Sequence, residues 1–334
     1  MRLSVAKLRS LLGEVGKVNL AAGKTPIHDM PAIARELGVA HAWIKRDDLT
    51  GVGPGGNKVR NLEYIMKQAK DQGANIIIAS GPVQSNLCTA TACARRKMGM
   101  DCVLVQNGPN EPGSVGNRLL NRISGADIVY LGDVTSTVRN AHMQDVKRDL
   151  EASGMKPFVV ENGASTGYGA LGYVDAVCEI LEQSGELVEP IRTIFVPAGN
   201  GGVAAGTVYG NYLLGLPFKV VVISTEYAEA DLKVEMMKII REAEAILGVE
   251  FKSSLDDVCL ITDDYCGGGW SINTPESEEA VYHLAQKEGI FLENVYTSKT
   301  FVGYCDLIKK GLVPSEGNLF LHSGGFGSLF AQYL

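Results

Sequence analysis

Ile194-Phe195-Val196-Pro197-Ala198-Gly199-Asn200-Gly201-Gly202-Val203-Ala204-Ala205-Gly206 joins a short apolar run to a glycine-rich turn and then to a small-residue helical stretch. A strand, a tight turn and a helix in that order place backbone N–H groups at the helix start, where they form a cradle for phosphate. The same alternation continues on both sides. Apolar, largely β-branched runs predict strands near 42–45, 76–79, 102–106, 128–131, 158–160, 220–224 and 319–322. Between them Leu62, Ile65, Met66 and Ala69 fall at helical spacing, as do Leu87, Ala90, Thr91, Ala94 and Met98. This pattern predicts an α/β protein with parallel open sheets covered by helices. Ligand-binding loops then belong at the C-terminal ends of the strands.

The chain has 334 residues, 46% hydrophobic and 21% charged, with a net charge of −7. That length exceeds the ~250–300 residues over which a single core grows, which predicts two lobes, one inserted in the other without a linker. High apolar content excludes extensive disorder, and no charge-free run approaches the ~20 residues of a membrane helix. The acidic balance argues against nucleic-acid binding, which needs a basic face. Seven dispersed cysteines without a CxxC pair predict a reducing, cytoplasmic setting. The five histidines lack zinc-site spacing, so no metal is expected.

Two further loops carry polar groups. Gly51-Val52-Gly53-Pro54-Gly55-Gly56-Asn57-Lys58 precedes a helical pattern and puts a lysine at a helix start. The helix dipole and burial both favour a neutral amine there, as imine chemistry requires, although a solvated lysine beside a turn has the same sequence. Ser80-Gly81-Pro82-Val83-Gln84-Ser85-Asn86 offers hydroxyl and amide groups at the next helix start, which suit either a cap or a carboxylate site. The Gly199–Gly206 stretch also fits GxGxxA through Gly199, Gly201 and Ala204, with Glu226 near the end of the next strand as a ribose-binding acid. A nicotinamide-dependent oxidoreductase is therefore the rival reading.

Taken together the segments resemble one family. Gly55-Gly56-Asn57-Lys58-Val59-Arg60-Asn61-Leu62-Glu63 resembles the GGNKxRxLE motif of the D-cysteine desulfhydrase and 1-aminocyclopropane-1-carboxylate deaminase family, which are fold-type II pyridoxal-phosphate enzymes related to tryptophan synthase β. Gly81–Asn86 is similar to its GGIQSN loop, and Gly289–Thr297 and His322–Gly325 are similar to its C-terminal signatures. Lys45-Arg46-Asp47-Asp48-Leu49 is also familial. The resemblance implies that Lys58 holds pyridoxal phosphate and moves the Cα proton. It implies that Gly199, Asn200, Gly201, Gly202 and Val203 hold the phosphate, with Asn57 and Asn86 at the cofactor. Ser85, Asn86 and Leu87 would receive the substrate carboxylate, Tyr296 and Trp270 would face the substrate, and Thr297 or Ser323 would lie near the pyridine nitrogen. The small domain would span 50–165 and the large domain 1–49 and 166–334, usually in a homodimer.

The chain departs from the deaminase pattern where Thr297 replaces a glutamate after the tyrosine, and Trp270, Asn61 and Asn200 are further departures. A neutral partner leaves the pyridine nitrogen less protonated, which suits expulsion of a good leaving group over cyclopropane opening. The expected activity is therefore β-elimination from a small sulfur-containing amino acid. D-cysteine is the leading substrate, followed by L-cysteate, then the deaminase reaction and amino-acid racemisation.

Overall fold

The computed structural model describes residues 2–108, 115–160 and 162–333. Among these residues ten strands form two sheets: β1 (Ile27–Asp29), β2 (Trp43–Arg46), β3 (Ile76–Pro82), β4 (Asp101–Asn107), β5 (Asp127–Tyr130), β6 (Pro157–Val160), β7 (Thr193–Ala198), β8 (Lys219–Ser224), β9 (Cys259–Thr262) and β10 (Asn318–His322). The larger sheet runs β1-β2-β10-β7-β8-β9 and the smaller β5-β4-β3-β6. Every pairing is parallel except β1 with β2. The expected α/β architecture is the one found. The two strands that the sequence reading did not pick out, β1 and β9, are the edges of the larger sheet, each with one neighbour and partial exposure.

Both sheets bury both faces, which explains why their strands are continuous apolar runs. In the larger sheet Ile194, Val196, Val220 and Val222 join one core with the helices Gly167–Ser184, Gly202–Leu213 and Glu229–Leu247. The alternate residues Phe195, Val221, Ile223 and Phe320 face the opposite core, against the helices Pro275–Glu288 and Thr297–Lys309. In the smaller sheet Ile77 and Leu104 point to one cluster and Ile78 and Val103 to another.

The helix Asn57–Asp71 carries Lys58 and is held tightly at its start. Gly172 lets it approach the helix Gly167–Ser184 so closely that a Cβ there would sit 2.4 Å from the Arg60 carbonyl oxygen. Upstream, Gly56 at φ 108° backs onto Gly324 at φ 101°, and a Cβ on Gly324 would lie 2.5 Å from the Gly56 Cα. The adjacent glycines of both loops are thus a consequence of their mutual contact. The Asn57 N–H donates to the Ser323 carbonyl at 2.8 Å and completes the joint.

Candidate active site

The C-terminal ends of β3, β7, β8 and β10 open onto one cavity of about 620 Å³. Its wall includes Lys58 and Asn57, the Ser85-Asn86-Leu87 turn, Gly199 through Val203, Trp270, Tyr296 and Ser323. Every expected site residue except Thr297 is therefore brought to one place.

Lys58 lies in the first turn of its helix, and its Nζ donates to the Gly163 carbonyl at 2.7 Å. Burial pushes its pKa down to about 8, partly opposed by the charge of Glu226. That leaves about a tenth of the amine neutral at pH 7, far more than an exposed lysine offers. Glu226, two residues past β8, is the acid that the rival reading placed on a ribose. The structure instead sets its electrostatic influence on Lys58, and burial raises its own carboxyl.

The strand Thr193–Ala198, the glycine turn and the helix Gly202–Leu213 follow one another in the predicted order. Gly201, at φ 81°, starts the helix Gly202–Leu213, and no side chain caps that start. The first-turn N–H groups of a helix have no intrahelical acceptor, so an anion at this wall completes them. Asn200 lies against Gly163, where a Cβ would meet its amide nitrogen at 2.6 Å. After β3 of the smaller sheet, Ser85 caps the helix Asn86–Lys97, accepting from the Cys88 N–H at 3.3 Å. Capping and ligand contact are compatible here, because Ser85 takes only one first-turn donor and leaves those of Asn86 and Leu87. The Asn86 side-chain oxygen accepts from Asn117 at 2.7 Å, which orients its amide N–H groups as the remaining donors.

Tyr296 precedes the helix Thr297–Lys309 and accepts a hydrogen bond from the Trp270 indole at 2.7 Å. Burial pushes its phenol well above the ordinary range, so it remains a neutral donor, with the Trp270 bond opposing that shift only in part. The indole at 270 thus acts on the phenol. Asn61 also lines the cavity, and its amide donates to the Gly169 carbonyl at 2.7 Å, tying two helices together.

Thr297 is the one misplaced residue. It is fully buried, off the cavity wall, and its hydroxyl bonds to Glu293, accepting from the Glu293 N–H at 2.9 Å. Adjacent residues on a helix do not share a face, so with Tyr296 turned to the cavity Thr297 turns inward. Glu293 takes a place on the wall instead, its carboxylate accepting from the N–H groups of Val295, Tyr296 and Thr297. Ser323 is the hydroxyl of the expected pair that reaches the wall. Sequence reading also missed Arg139, which lines the cavity from the helix Ser136–Ala152, because that helix is rich in polar residues throughout.

One outcome separates Lys58 from its neighbour. Loss of the Glu226 charge lowers the Lys58 pKa further, so Glu226→Gln is expected to capture pyridoxal phosphate several-fold faster than wild type at pH 7. The wild-type rate is expected to rise with pH through about 8, as the amine loses its proton. Stopped-flow absorbance of the apoenzyme reads both, and identical rates in the two proteins would separate Glu226 from the lysine.

A family profile described as pyridoxal-phosphate dependent enzyme matches residues 18–324. A Pyrococcus horikoshii protein with the provisional name 1-aminocyclopropane-1-carboxylate deaminase is 36% identical over 324 residues, 97% of this chain and 96% of its own. The D-cysteine desulfhydrase of Salmonella paratyphi B is 32% identical over 323 residues, 95% of this chain and 96% of its own. A crystal structure of an ACC deaminase homologue superposes with a TM-score of 0.89 at 35% identity, covering 97% of this chain and 96% of that one. The cavity fits the cofactor these similarities imply. It has an uncapped helix start for a phosphate, a buried amine with a lowered pKa for the aldehyde, and the Asn86 amide and Ser323 hydroxyl for the ring's polar atoms. The chain belongs to the pyridoxal-phosphate-dependent enzyme family and is a lyase that uses this cofactor.

Proposed function

We propose that this enzyme is a β-eliminating lyase of a small sulfur-containing amino acid, with D-cysteine as leading substrate and pyruvate, ammonia and sulfide as products. The observation that carries this choice is the wall beside Tyr296. No acid follows the tyrosine, Ser323 supplies a neutral hydroxyl, and the Glu293 oxygens already accept three backbone N–H groups. Bound pyridoxal phosphate supplies the electron sink that makes the substrate Cα–H acidic.

The residues divide the remaining work. The N–H groups of Asn86 and Leu87, with the Ser85 hydroxyl, bind the substrate carboxylate at a helix start. The neutral Lys58 amine takes the Cα proton, and the Cβ–S bond breaks with its electron pair leaving on sulfur. The resulting enamine takes up water to give pyruvate and ammonia. The Trp270 indole donates to the Tyr296 hydroxyl and orients it toward the substrate's side of the cavity. The same reading assigns residues 50–165 to a small domain inserted in a large one, and the assembly to a homodimer in the cytoplasm.

Ring opening of aminocyclopropane carboxylate is the second reading, favoured by the names of the similar proteins at 36% and 35% identity. It lacks a leaving group that accepts electrons as readily as sulfur, so a weaker electron sink penalises it more. A panel of D- and L-cysteine, L-cysteate, serine and aminocyclopropane carboxylate, scored for keto acid, sulfide and sulfite, separates the readings. Pyruvate from a cysteine-type substrate is expected with kcat/KM at least ~100-fold above that for 2-oxobutyrate formation. The reverse order would make the enzyme a deaminase.

A further inference from the structure

Arg139 is a buried guanidinium on the cavity wall to which the proposed reaction gives no task. It is 4% exposed and stands one turn after Ser136 on the same helix face, with both side chains on the wall. One Nη donates to the Asn107 side-chain oxygen at 2.7 Å, and Asn107 is fixed in turn by donating to the Val134 carbonyl at 3.1 Å. Its Nε has no partner, and no carboxylate among the described residues lies within ion-pair distance. Two other buried arginines differ: Arg60 holds two carboxylates, and Arg95 donates to four backbone carbonyls.

The two acids on the wall are occupied elsewhere. Glu293 accepts from backbone N–H groups, and Glu226 acts on Lys58. A guanidinium taken out of water without an anion is costly, and a ligand anion offsets that cost. The cofactor phosphate is not that anion, because its cradle follows β7 in the larger sheet whereas Arg139 and Asn107 belong to the lobe of the smaller sheet. A substrate α-carboxylate has its own donors at the start of the helix Asn86–Lys97.

We infer that Arg139, with Asn107 and Ser136, forms a second anion subsite, and that beside cysteine the enzyme takes α-amino acids whose β-leaving group carries an oxyanion. The group is a sulfonate or a phosphate ester, each with terminal oxygens suited to a guanidinium fork and each able to leave with the bonding electron pair as sulfite or phosphate. The inference rests on the eliminating reading for what happens to the substrate, but not for its binding.

Binding calorimetry on the holoenzyme tests it with 3-sulfopropanoate, a dianion without an amine, against butanoate, its monoanionic counterpart. Wild type is expected to bind the dianion at least tenfold more tightly. Arg139→Gln is expected to remove that preference while Arg139→Lys keeps part of it. Asn107→Asp, which gives Arg139 an internal carboxylate, is expected to remove it without deleting the arginine, so a poorly folded glutamine variant does not stop the test. In turnover, the kcat/KM ratio of L-cysteate or O-phosphoserine over cysteine identifies the favoured oxyanion and is expected to fall ~100-fold in Arg139→Gln. No preference in wild type, a preference that survives in both Arg139→Gln and Asn107→Asp, or equal weakening of both probes would overturn the inference, the last by assigning Arg139 to the α-carboxylate. If no amino acid yields keto acid while the binding preference follows Arg139, the eliminating reading fails and the subsite stands.

Discussion

Lys58→Ala is expected to lower turnover by at least ~10⁴-fold and to remove the visible absorbance that covalently held pyridoxal phosphate gives. Two functions are lost at once. Lys58 is the only lysine on the cavity wall among the described residues, so no other amine can attach the aldehyde there. Its burial also holds a usable fraction of neutral amine at pH 7, and no other group on that wall combines basicity with such a position. Arginine at 58 keeps the positive charge but neither forms an imine nor gives up its proton, so Lys58→Arg is expected to be as inactive as the alanine variant. Added methylamine is expected to restore a small part of the Lys58→Ala activity, because a soluble amine replaces the proton acceptor without its placement. Full activity in Lys58→Ala would end the assignment of this lysine.

The parts of the site that were legible in sequence are those made by short, continuous segments. Gly199 to Val203 and Gly55 to Lys58 each contain their own strand end, turn and helix start, so local chemistry specifies them. Thr297 was misread because sequence proximity to Tyr296 says nothing about direction. One residue further along a helix turns the side chain by about 100°, away from the cavity and onto Glu293. Glu226 was visible as an acid after a strand, but its task depends on Lys58, 168 positions away in the chain. Arg139 was invisible, since a polar helix shows no difference between an arginine turned to solvent and one turned to a cavity. The same limit applies to the Lys45-Arg46-Asp47 segment. Its resemblance to a family pattern announces importance, whereas its partners Arg60 and Glu179 come from two other elements.

Those partners make the second large effect. Arg60 follows Lys58 by two residues and is 6% exposed. Its guanidinium donates to both Asp47 oxygens at 2.8 and 2.9 Å, to both Glu179 oxygens at 3.1 and 3.0 Å, and to the Thr25 hydroxyl at 2.9 Å. Lys45 bonds to Glu179, and the Tyr173 hydroxyl donates to Asp47 at 2.8 Å. This cluster ties the lysine helix to the end of β2 and to the helix Gly167–Ser184. Burial alone would raise the Asp47 and Glu179 carboxyls, yet the charge and hydrogen bonds of Arg60 hold both below the ordinary range, with Lys45 assisting. Arg60→Ala strands two buried carboxylates with only Lys45 to balance them, and is expected to cost about 3–5 kcal/mol. The pH dependence has a definite sign. Carboxyls lowered in the folded state stabilise it above their unfolded pKa, near ~4, and that stabilisation is lost as pH falls through the folded value. In Arg60→Ala burial dominates and the folded pKa values rise, so protonation relieves the variant while it weakens wild type. The stability gap, measured by urea unfolding, is therefore expected to be widest near pH 7 and to narrow toward pH 4. A gap that stays constant across that range would show that Arg60 acts through packing of its side chain and not through the two carboxylates.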